Sequence, residues 1–240
     1  MKCVVLLNSK PYFFSYVDWL LRKSYLWDFK LSGIYAKSPQ LVESHFARSP
    51  GRRAKGYKFF DGINSALQTA DVAISLGYWK ILTQEQIAQV PYGIINFQHS
   101  YKLKYKGRHS ASWVIRNKEK VHGSTMHYIN EELDGGSIID TKAFKIKKHA
   151  TAEEIFTQAN ITGLSLLKKN FKNIIDKKTI PLTQPSKKSY TFKEKDLSHE
   201  IPLDDLRNPD KVYREVRALT FNGCSMPFFK VARKKIYLSL

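Results

Sequence analysis

The sequence predicts an α/β protein with a mostly parallel, Rossmann-like sheet, helices on both faces, and a small C-terminal region containing a helix and a β-hairpin. The main observation is that short apolar, β-branched segments alternate with amphipathic segments along the N-terminal half, which is typical of parallel sheets. The second is size, because 240 residues with 42% hydrophobic side chains can form one large domain with an appendage.

The first two predicted strands flank a helix. Residues 3–7 (CVVLL) are branched and apolar, and a polar turn follows them. Residues 12–27 space their apolar side chains as a helix does, and residues 29–36 (FKLSGIYA) form the second strand. The basic, glycine-containing stretch 47–58 is then predicted to be a loop.

The next four segments repeat this alternation. Residues 63–70 form a short helix and residues 71–78 (DVAISLGY) a third strand. A helix over residues 83–90 opens with threonine, a favourable N-cap residue. Residues 92–97 (YGIINF) form the fourth strand.

The C-terminal half changes in character. Residues 122–139 alternate like two strands around the turn LDGGS, and residues 151–175 form a long amphipathic helix that opens with a capping box. Residues 176–211 are rich in lysine and proline and are predicted to be an irregular arm. A short helix over residues 211–221 and a hairpin over residues 227–240 end the sequence.

These patterns predict a catalytic domain over residues 1–176 and a linker arm with a small helix and hairpin over residues 177–240. Exposed aromatic side chains on the hairpin favour a homodimer. The isolated Cys3 and Cys224 have no metal-site spacing and fit a reducing compartment, so we expect a cytoplasmic protein without a metal. No apolar run approaches the roughly 20 residues of a membrane span, so no membrane partner is expected.

The formal net charge is +19, which favours a polyanionic partner such as a nucleotide or a nucleic acid. Lysine-rich composition alone is common, so the charge indicates a class of partner and not its identity. A basic nucleic-acid-binding module is therefore the alternative hypothesis from a different class, and it predicts steeply salt-dependent binding.

Polar side chains lie at the end of the fourth strand and just beyond it. Asn96, Gln98 and His99 come after the apolar pair in "IINFQHS", and Asp134 lies in the later turn. Because function in open parallel sheets concentrates beyond the carboxyl ends of the strands, an amide, an imidazole and a carboxylate are candidates for one cleft.

Three stretches together resemble the catalytic core of the folate-dependent formyltransferases: residues 77–87, 95–109 and 122–139. The family's pattern is Asn-x-His, a basic-Gly pair, Gly-x-Thr, and an Asp in Leu/Val-Asp-x-Gly. The matching positions are Asn96, Lys106-Gly107, Gly123, Thr125 and Leu133-Asp134-Gly135-Gly136. The resemblance implies the formyltransferase fold and N10-formyltetrahydrofolate as co-substrate.

The implied chemistry explains the residue types. Attack of an amine on the formyl group forms an oxyanion, and the Asn96 amide can donate a hydrogen bond to it, a contribution worth roughly 3–4 kcal/mol. Asp134 can accept the proton that the amine loses, directly or through water. An imidazole would support the oxyanion and the movement of the proton.

The sequence departs from the pattern at the imidazole. The family's histidine falls on Gln98, and His99 follows one place later. In a regular strand Gln98 shares a face with Asn96 and His99 points away, whereas a bulge would reverse this. Three alternatives remain: His99 acts, Gln98 supplies a hydrogen bond instead, or activity is lost.

The resemblance also implies binding residues. The co-substrate residues are Tyr78, Trp79, Lys80, Ile81, Leu82, Asn130 and Leu133. The substrate residues are Lys10, Lys106, His127, Arg217 and Phe221, with the cations meeting a pyrophosphate and the aromatic ring a base. Plain core packing or solvation is the alternative for each of them.

The acceptor is predicted from the two ends of the chain. The segment after the first strand, "LNSKPYFF", lacks the Gly-x-Gly phosphate loop of the purine branch, and the region after residue 175 is short for a methionyl-tRNA formyltransferase. "VYREVRALTFNGCSMPFFKVARKKIYL" is similar to the C-terminal region of sugar-nucleotide N-formyltransferases. This resemblance implies a nucleotide sugar, such as a dTDP-linked 4- or 3-amino-dideoxy sugar for O-antigen synthesis. Other formyl transfer or formyltetrahydrofolate hydrolysis is the alternative.

Overall fold

The computed structural model describes residues 1–47, 58–184 and 189–240, so the central part of the predicted loop at 47–58 lies outside the described residues. Within the described ranges, a seven-stranded sheet has the order β3-β2-β1-β4-β5-β7-β8. The strands of this sheet are β1 (Lys2–Leu7), β2 (Lys30–Ala36), β3 (Lys58–Phe59), β4 (Val72–Leu76), β5 (Ile94–Gln98), β7 (Val121–Tyr128) and β8 (Ile138–Lys145).

The remaining strands form two small sheets, β6 with β9 and β10 with β11. Their bounds are β6 (Tyr105–Gly107), β9 (Tyr190–Phe192), β10 (Phe228–Val231) and β11 (Lys234–Tyr237). The helices are α1 (Phe14–Ser24), α2 (Pro39–Ala47), α3 (Ile63–Leu67), α4 (Gln84–Ala88), α5 (Ser110–Arg116), α6 (Ala152–Ile175) and α7 (Pro209–Leu219). None of the helices in the described ranges is long and apolar enough to cross a membrane.

The predicted mostly parallel sheet is confirmed. Strand β1 pairs in parallel with β2 and β4, and β4 pairs in parallel with β5. Strand β5 pairs with β7 in the antiparallel direction, so the strand direction reverses immediately beyond β5.

Alternate side chains of β1 pack into two different apolar clusters, as expected for a sheet that is covered on both faces. Cys3, Val5 and Leu7 lie in a core cluster with residues of α1 and α6. Val4 and Leu6 lie in a second cluster that includes residues of α3. The near-continuous apolar character of the strand follows from this double burial.

Capping residues fix two of the predicted helix starts. The Gln86 backbone N–H donates to Thr83 Oγ1 at 3.3 Å, and the Gln86 side chain accepts from the Thr83 N–H at 3.1 Å. Thr151 and Glu154 form the same reciprocal pair before α6.

Several elements differ from the sequence-based expectation. Helix α1 ends at Ser24, earlier than predicted, and a single 3₁₀ turn over Pro11–Phe13 precedes it. Helix α2 and the short strands β3, β6 and β9 were not predicted, and β9 lies inside the segment expected to be irregular. Strands of two or three residues carry too few side chains to give a periodic pattern, so their existence depends on a partner strand.

The chain forms two units. Unit 1 contains Met1–Gln98, Thr125–Thr141 and Gly163–Pro185, and unit 2 contains His99–Ser124, Lys142–Thr162 and Ser186–Leu240. Unit 2 has its own apolar core, which is formed by residues of β6, α5, α6 and α7 and includes Tyr105, Val114, Ile155 and Ala218. The predicted division into residues 1–176 and 177–240 stays a prediction.

The ring of Phe171 in α6 predicts a test of the unit 1 core. It is fully buried and lies in edge contact with Phe29 at 5.0 Å and Trp19 at 5.9 Å between centroids. We expect Phe171→Ala to lower the free energy of unfolding by about 3–5 kcal/mol, because the loss of the ring leaves a cavity. Ile180→Ala is the control, since that side chain is 83% exposed and its loss should cost less than about 0.5 kcal/mol. Equal costs in urea denaturation would contradict the packing described.

Candidate active site

The antiparallel register of β5 and β7 determines which side chains share the candidate site. Phe97 pairs with Met126, and both side chains belong to the main core of unit 1. Because successive side chains of a strand point to opposite faces, their neighbours occupy the other face of the sheet. The side chains of this other face are Asn96, Gln98, Thr125 and His127.

Asn96 and His127 are directly opposite one another in this register, and their side chains are in contact. Asn96 Nδ2 lies 3.2 Å from His127 Nε2, and His127 Nδ1 lies 2.8 Å from the carbonyl oxygen of Tyr128. A carbonyl oxygen only accepts, so Nδ1 carries the hydrogen in the neutral imidazole. Nε2 therefore accepts the hydrogen bond that the Asn96 amide donates.

Asp134 brings a carboxylate to the same imidazole. Its Oδ1 lies 3.8 Å from His127 Nε2, and the side chains of Asp134 and His127 are 8% and 2% exposed. This distance is an ion-pair distance and not a hydrogen bond. Burial keeps water away from the pair, so the carboxylate stabilises a positive charge on the imidazole more strongly than it would at the surface.

The turn that carries Asp134 is held by its backbone. Asp134 has a φ of +50°, a left-handed conformation that aspartate adopts more readily than most residues. Gln184 Nε2 donates to the carbonyl oxygens of Asp134 at 2.8 Å and Gly136 at 2.7 Å. A Cβ atom at Gly136 would lie 1.8 Å from the Tyr128 carbonyl oxygen, so only glycine fits there. The position of Asp134 thus depends on contacts with residues that are distant from it in sequence.

The three groups have complementary chemistry. A neutral amide donates, an imidazole nitrogen offers a lone pair, and a carboxylate supplies a negative charge. Such a set can stabilise a developing oxyanion and move a proton. In the portions of the chain that are described, the structure contains no group of three or more His, Cys, Asp or Glu side chains that could hold a metal ion.

His99 belongs to unit 2 and lies among structural partners. Its Nδ1 is 3.3 Å from Ser124 Oγ, which itself donates to the carbonyl oxygen of Ala159 at 2.6 Å, so His99 donates to the serine. Burial, and to a smaller extent the neighbouring His122, lowers the pKa of His99 to about 3. These contacts favour a neutral structural imidazole, and the catalytic role predicted for His99 stays a prediction.

Gln98 is half-buried and lies on the same face as Asn96, as a regular strand requires. Strand β5 runs without a bulge through its pairing with β7. The alternative in which Gln98 contributes a hydrogen bond is therefore compatible with the register.

The segment predicted to bind the co-substrate divides into buried and exposed parts. Leu82 is 5% exposed and packs in the second core cluster, whereas Ile81 is 83% exposed and Lys80 is exposed. In the turn after β7, Asn130 is exposed and Leu133 is 51% exposed. Core packing thus explains Leu82, while Ile81 and Leu133 leave apolar surface in contact with solvent.

An aromatic cluster follows β4. The rings of Tyr78 and Trp79 are 4.8 Å apart, and Trp79 stacks on Tyr35 at 5.8 Å with an interplanar angle of 24°. Burial, and then the neighbouring Tyr35, raises the pKa of Tyr78, so its phenol stays protonated and can donate. Tyr35 was not predicted as a member of this cluster, because it lies on another strand, β2, and only the sheet brings it beside Trp79.

The predicted nucleotide-binding residues have different environments. Lys10 of unit 1 is exposed, and Lys106 of unit 2 is only 7% exposed. Arg217 Nη1 donates to the carbonyl oxygens of Lys148 at 2.9 Å and Ala150 at 3.1 Å. These bonds favour a structural role for the guanidinium.

Phe221 also has structural partners within unit 2. Its ring lies 5.2 Å from that of Phe156, in an edge contact. It is partly buried against the apolar core of that unit. Its predicted role in holding a base stays a prediction.

Comparison with known proteins places this geometry in a family. The family model described as formyl transferase matches residues 44–168, which is more than half of the chain. The chain belongs to the formyl transferase family. This confirms the resemblance seen in the three sequence stretches.

Curated relatives match part of the chain. The methionyl-tRNA formyltransferase of Acetivibrio thermocellus is 32% identical over 115 residues, which is 48% of this chain and 37% of that enzyme. The chain therefore spans little more than a third of the length of this relative.

Solved structures match nearly the whole chain. A 4-N formyltransferase from Francisella tularensis has a TM-score of 0.80 at 18% identity, with 100% of this chain and 97% of that chain covered. The N-formyltransferase from Helicobacter canadensis, solved with folinic acid and dTDP-3-aminofucose, has a TM-score of 0.76 at 18% identity, with 98% and 85% covered. At this identity the similarity shows the shared formyltransferase fold.

The environment of His99 predicts a pH dependence of stability. The folded protein holds His99 neutral, whereas the unfolded chain binds a proton on it below the ordinary pKa of 6.5. Because the unfolded state then binds more protons, the free energy of unfolding falls as the pH drops from about 6.5 towards 3.

His99→Asn should therefore reduce the slope of stability against pH between 6.5 and 4.5, by up to about 1.4 kcal/mol per pH unit. The measurement is urea denaturation at several pH values. Gln98→Ala removes a neighbouring side chain that does not titrate and should retain the wild-type slope. An unchanged slope in His99→Asn would contradict the buried neutral imidazole.

Proposed function

We propose that the protein transfers the formyl group of N10-formyltetrahydrofolate to the amino group of a nucleotide-linked sugar, such as a dTDP-linked 4- or 3-amino-dideoxy sugar. One observation carries the choice of acceptor class. The similarity to a solved sugar N-formyltransferase from a Shewanella species extends over the whole chain and 97% of the length of that enzyme, at a TM-score of 0.80 and 18% identity. Membership of the formyl transferase family supports the reaction type.

Asn96 and Asp134 carry the central roles in this proposal. The Asn96 amide has two N–H groups, of which one donates to His127 at 3.2 Å, and the other is suited to the oxyanion that forms on the formyl group. Asp134 has a nearly buried side chain, so its charge acts through little water on any cation formed beside it. Both groups stand on the sheet or on a turn that is fixed by backbone contacts.

The residues predicted to bind the co-substrate suit a reduced folate. A pterin is a flat heterocycle that is commonly held by apolar and aromatic walls with a few polar groups. Tyr78 and Trp79 offer partly exposed rings, and Ile81 and Leu133 offer exposed apolar side chains. The co-substrate would supply a formyl group activated for attack by an amine.

The charge of the chain suits a nucleotide-linked acceptor. The net charge of +19 attracts a pyrophosphate, and exposed Lys10 and buried Lys106 are the candidate cations. We propose that Arg217 acts indirectly, by holding the backbone of Lys148 and Ala150. Homodimer formation, a cytoplasmic location and a role in surface polysaccharide synthesis remain parts of the proposal.

Methionyl-tRNA is a second candidate acceptor, because a methionyl-tRNA formyltransferase is 32% identical over 115 residues. A basic protein of this charge would also attract an RNA phosphate backbone. The two acceptors are both amines, so the chemistry of Asn96 and Asp134 does not distinguish them.

An acceptor panel tests the proposal. The purified chain is given N10-formyltetrahydrofolate with dTDP-linked 4-amino and 3-amino sugars, methionyl-tRNA, or no amine, and tetrahydrofolate release is measured. We expect release that depends on an amino sugar. If tetrahydrofolate is released only with methionyl-tRNA, the acceptor is methionyl-tRNA and not a nucleotide sugar. Release of tetrahydrofolate without any amine would indicate hydrolysis of the formyl donor. Salt-sensitive RNA or DNA binding without any release would favour the nucleic-acid-binding alternative.

Two substitutions test the assigned groups. Asn96→Ala should lower kcat by about 10²–10³-fold, the usual loss when one oxyanion donor is removed. Asp134→Asn should be nearly inactive yet as stable as the wild type in thermal denaturation. Asp204→Asn is the matched control, since Asp204 is exposed and lies outside the site, and it should leave the rate unchanged. Wild-type rates in Asp134→Asn would remove this carboxylate from the mechanism.

A further inference from the structure

We propose that His127 is the group that carries the proton during transfer, in place of the imidazole that the sequence lacks at Gln98. This inference rests on the proposed function, because it concerns the same site. It differs from the sequence-based expectation, in which His127 contacts substrate and the alternatives were action by His99, a hydrogen bond from Gln98, or loss of activity.

The tautomer of His127 places the basic lone pair on Nε2, the nitrogen that faces Asn96. Nδ1 donates to the Tyr128 carbonyl oxygen at 2.8 Å, which fixes the hydrogen on that side of the ring. Nε2 then has a lone pair on the side of Asn96, at 3.2 Å from Nδ2. This lone pair accepts the Asn96 N–H in the resting site, and it can accept a proton from a bound amine when that hydrogen bond breaks.

Asp134 can compensate the positive charge that this step creates on His127. The side chain is 2% exposed, so water contributes little to holding the charge. Asp134 Oδ1 lies 3.8 Å from Nε2 and supplies the compensating negative charge. The Tyr128 carbonyl oxygen orients the ring through Nδ1, and Asp134 acts on Nε2 by its charge alone.

The contact between His127 and Asn96 also couples proton transfer to stabilisation of the oxyanion. A protonated Nε2 can no longer accept a hydrogen bond, so the Asn96 N–H that it held becomes available when the proton arrives. The oxyanion exists at that moment, since the amine loses its proton only after its nitrogen has bonded to the formyl carbon. The proton acceptor, His127, and the oxyanion donor, Asn96, are thus directly paired across strands β7 and β5.

The step balances without any further reactant. The amine nitrogen forms a bond to the formyl carbon, and its proton passes to His127 Nε2. The bond between the formyl carbon and the donor nitrogen then breaks, and that nitrogen receives the proton from Nε2. His127 returns to its neutral form, and the products are a formamide and the deformylated donor.

Gln98 and His99 were the two earlier candidates for the proton-carrying group, and the structure favours neither of them. The amide of Gln98 neither gains nor loses a proton near neutral pH. His99 belongs to unit 2, where its Nδ1 donates to Ser124 Oγ and its ring packs edge-on against Phe156 at 4.9 Å. His127 combines an imidazole with a contact to Asn96 at 3.2 Å.

Substitution and rescue provide the first test. His127→Gln keeps an acceptor for Asn96 but removes the titrating group, and it should lower kcat by about 10²–10⁴-fold with little change in the KM for the formyl donor. Gln98→His in the same variant places an imidazole on the same strand face as Asn96 and should restore at least a tenfold part of the loss. His149→Gln is the control, since His149 is an exposed residue of unit 2.

Two kinetic outcomes would overturn the inference. The first is a rate within about threefold of wild type in His127→Gln. The second is a failure of Gln98→His to restore any rate to a His127→Gln variant that is folded by thermal denaturation. If wild type transfers formyl to no acceptor of the panel, the proposed function fails instead, and the tautomer measurement below still decides the premise about His127.

The tautomer is measured by ¹⁵N NMR of the imidazole nitrogens, with the His127 signals assigned by their absence in His127→Gln. We expect the neutral ring to carry its hydrogen on Nδ1 and none on Nε2. Asn96→Ala should shift the Nε2 signal, because it removes the hydrogen bond at that nitrogen. A neutral ring protonated on Nε2 would overturn the inference, since that nitrogen could not accept the proton.

Discussion

The antiparallel pairing of β5 with β7 is the constraint on which the candidate site depends. It places Asn96 opposite His127 and, at the same time, directs Phe97 and Met126 into the apolar core. A shift of one residue would exchange the two faces, burying the polar side chains and exposing the apolar ones. The free energy of core burial therefore fixes the register, and the register fixes the contact between the amide and the imidazole.

The carboxylate depends on a different kind of restraint. Asp134 stands on a turn with a left-handed backbone, and a regular strand or helix does not hold it. Gln184 binds the carbonyl oxygens on both sides of the turn, and the bridge between Ile138 and Leu182 brings that glutamine within reach. The hydrogen-bond donor Asn96 therefore stands on a rigid sheet, whereas the negatively charged Asp134 stands on a turn that is anchored through its backbone.

The candidate catalytic side chains belong to different units of the chain. The amide, the carboxylate and the imidazole in contact with the amide all belong to unit 1. The second imidazole, His99, lies in unit 2, where burial lowers its pKa to about 3 and a serine accepts its hydrogen bond. His127 thus has a carboxylate 3.8 Å from Nε2, while His99 has surroundings that favour the neutral ring.

The sequence by itself determined the alternation of strands and helices, the starts of α4 and α6, and the family, because apolar periodicity, capping residues and linked motifs are local patterns. It also identified Asn96 and Asp134 as candidates. It did not predict the contact of His127 with Asn96, the anchoring by Gln184 or the stacking of Tyr35 on Trp79. Only the tertiary structure decided these contacts, because each joins residues that are distant in sequence, and strand pairing and loop closure set such distances without leaving a local pattern.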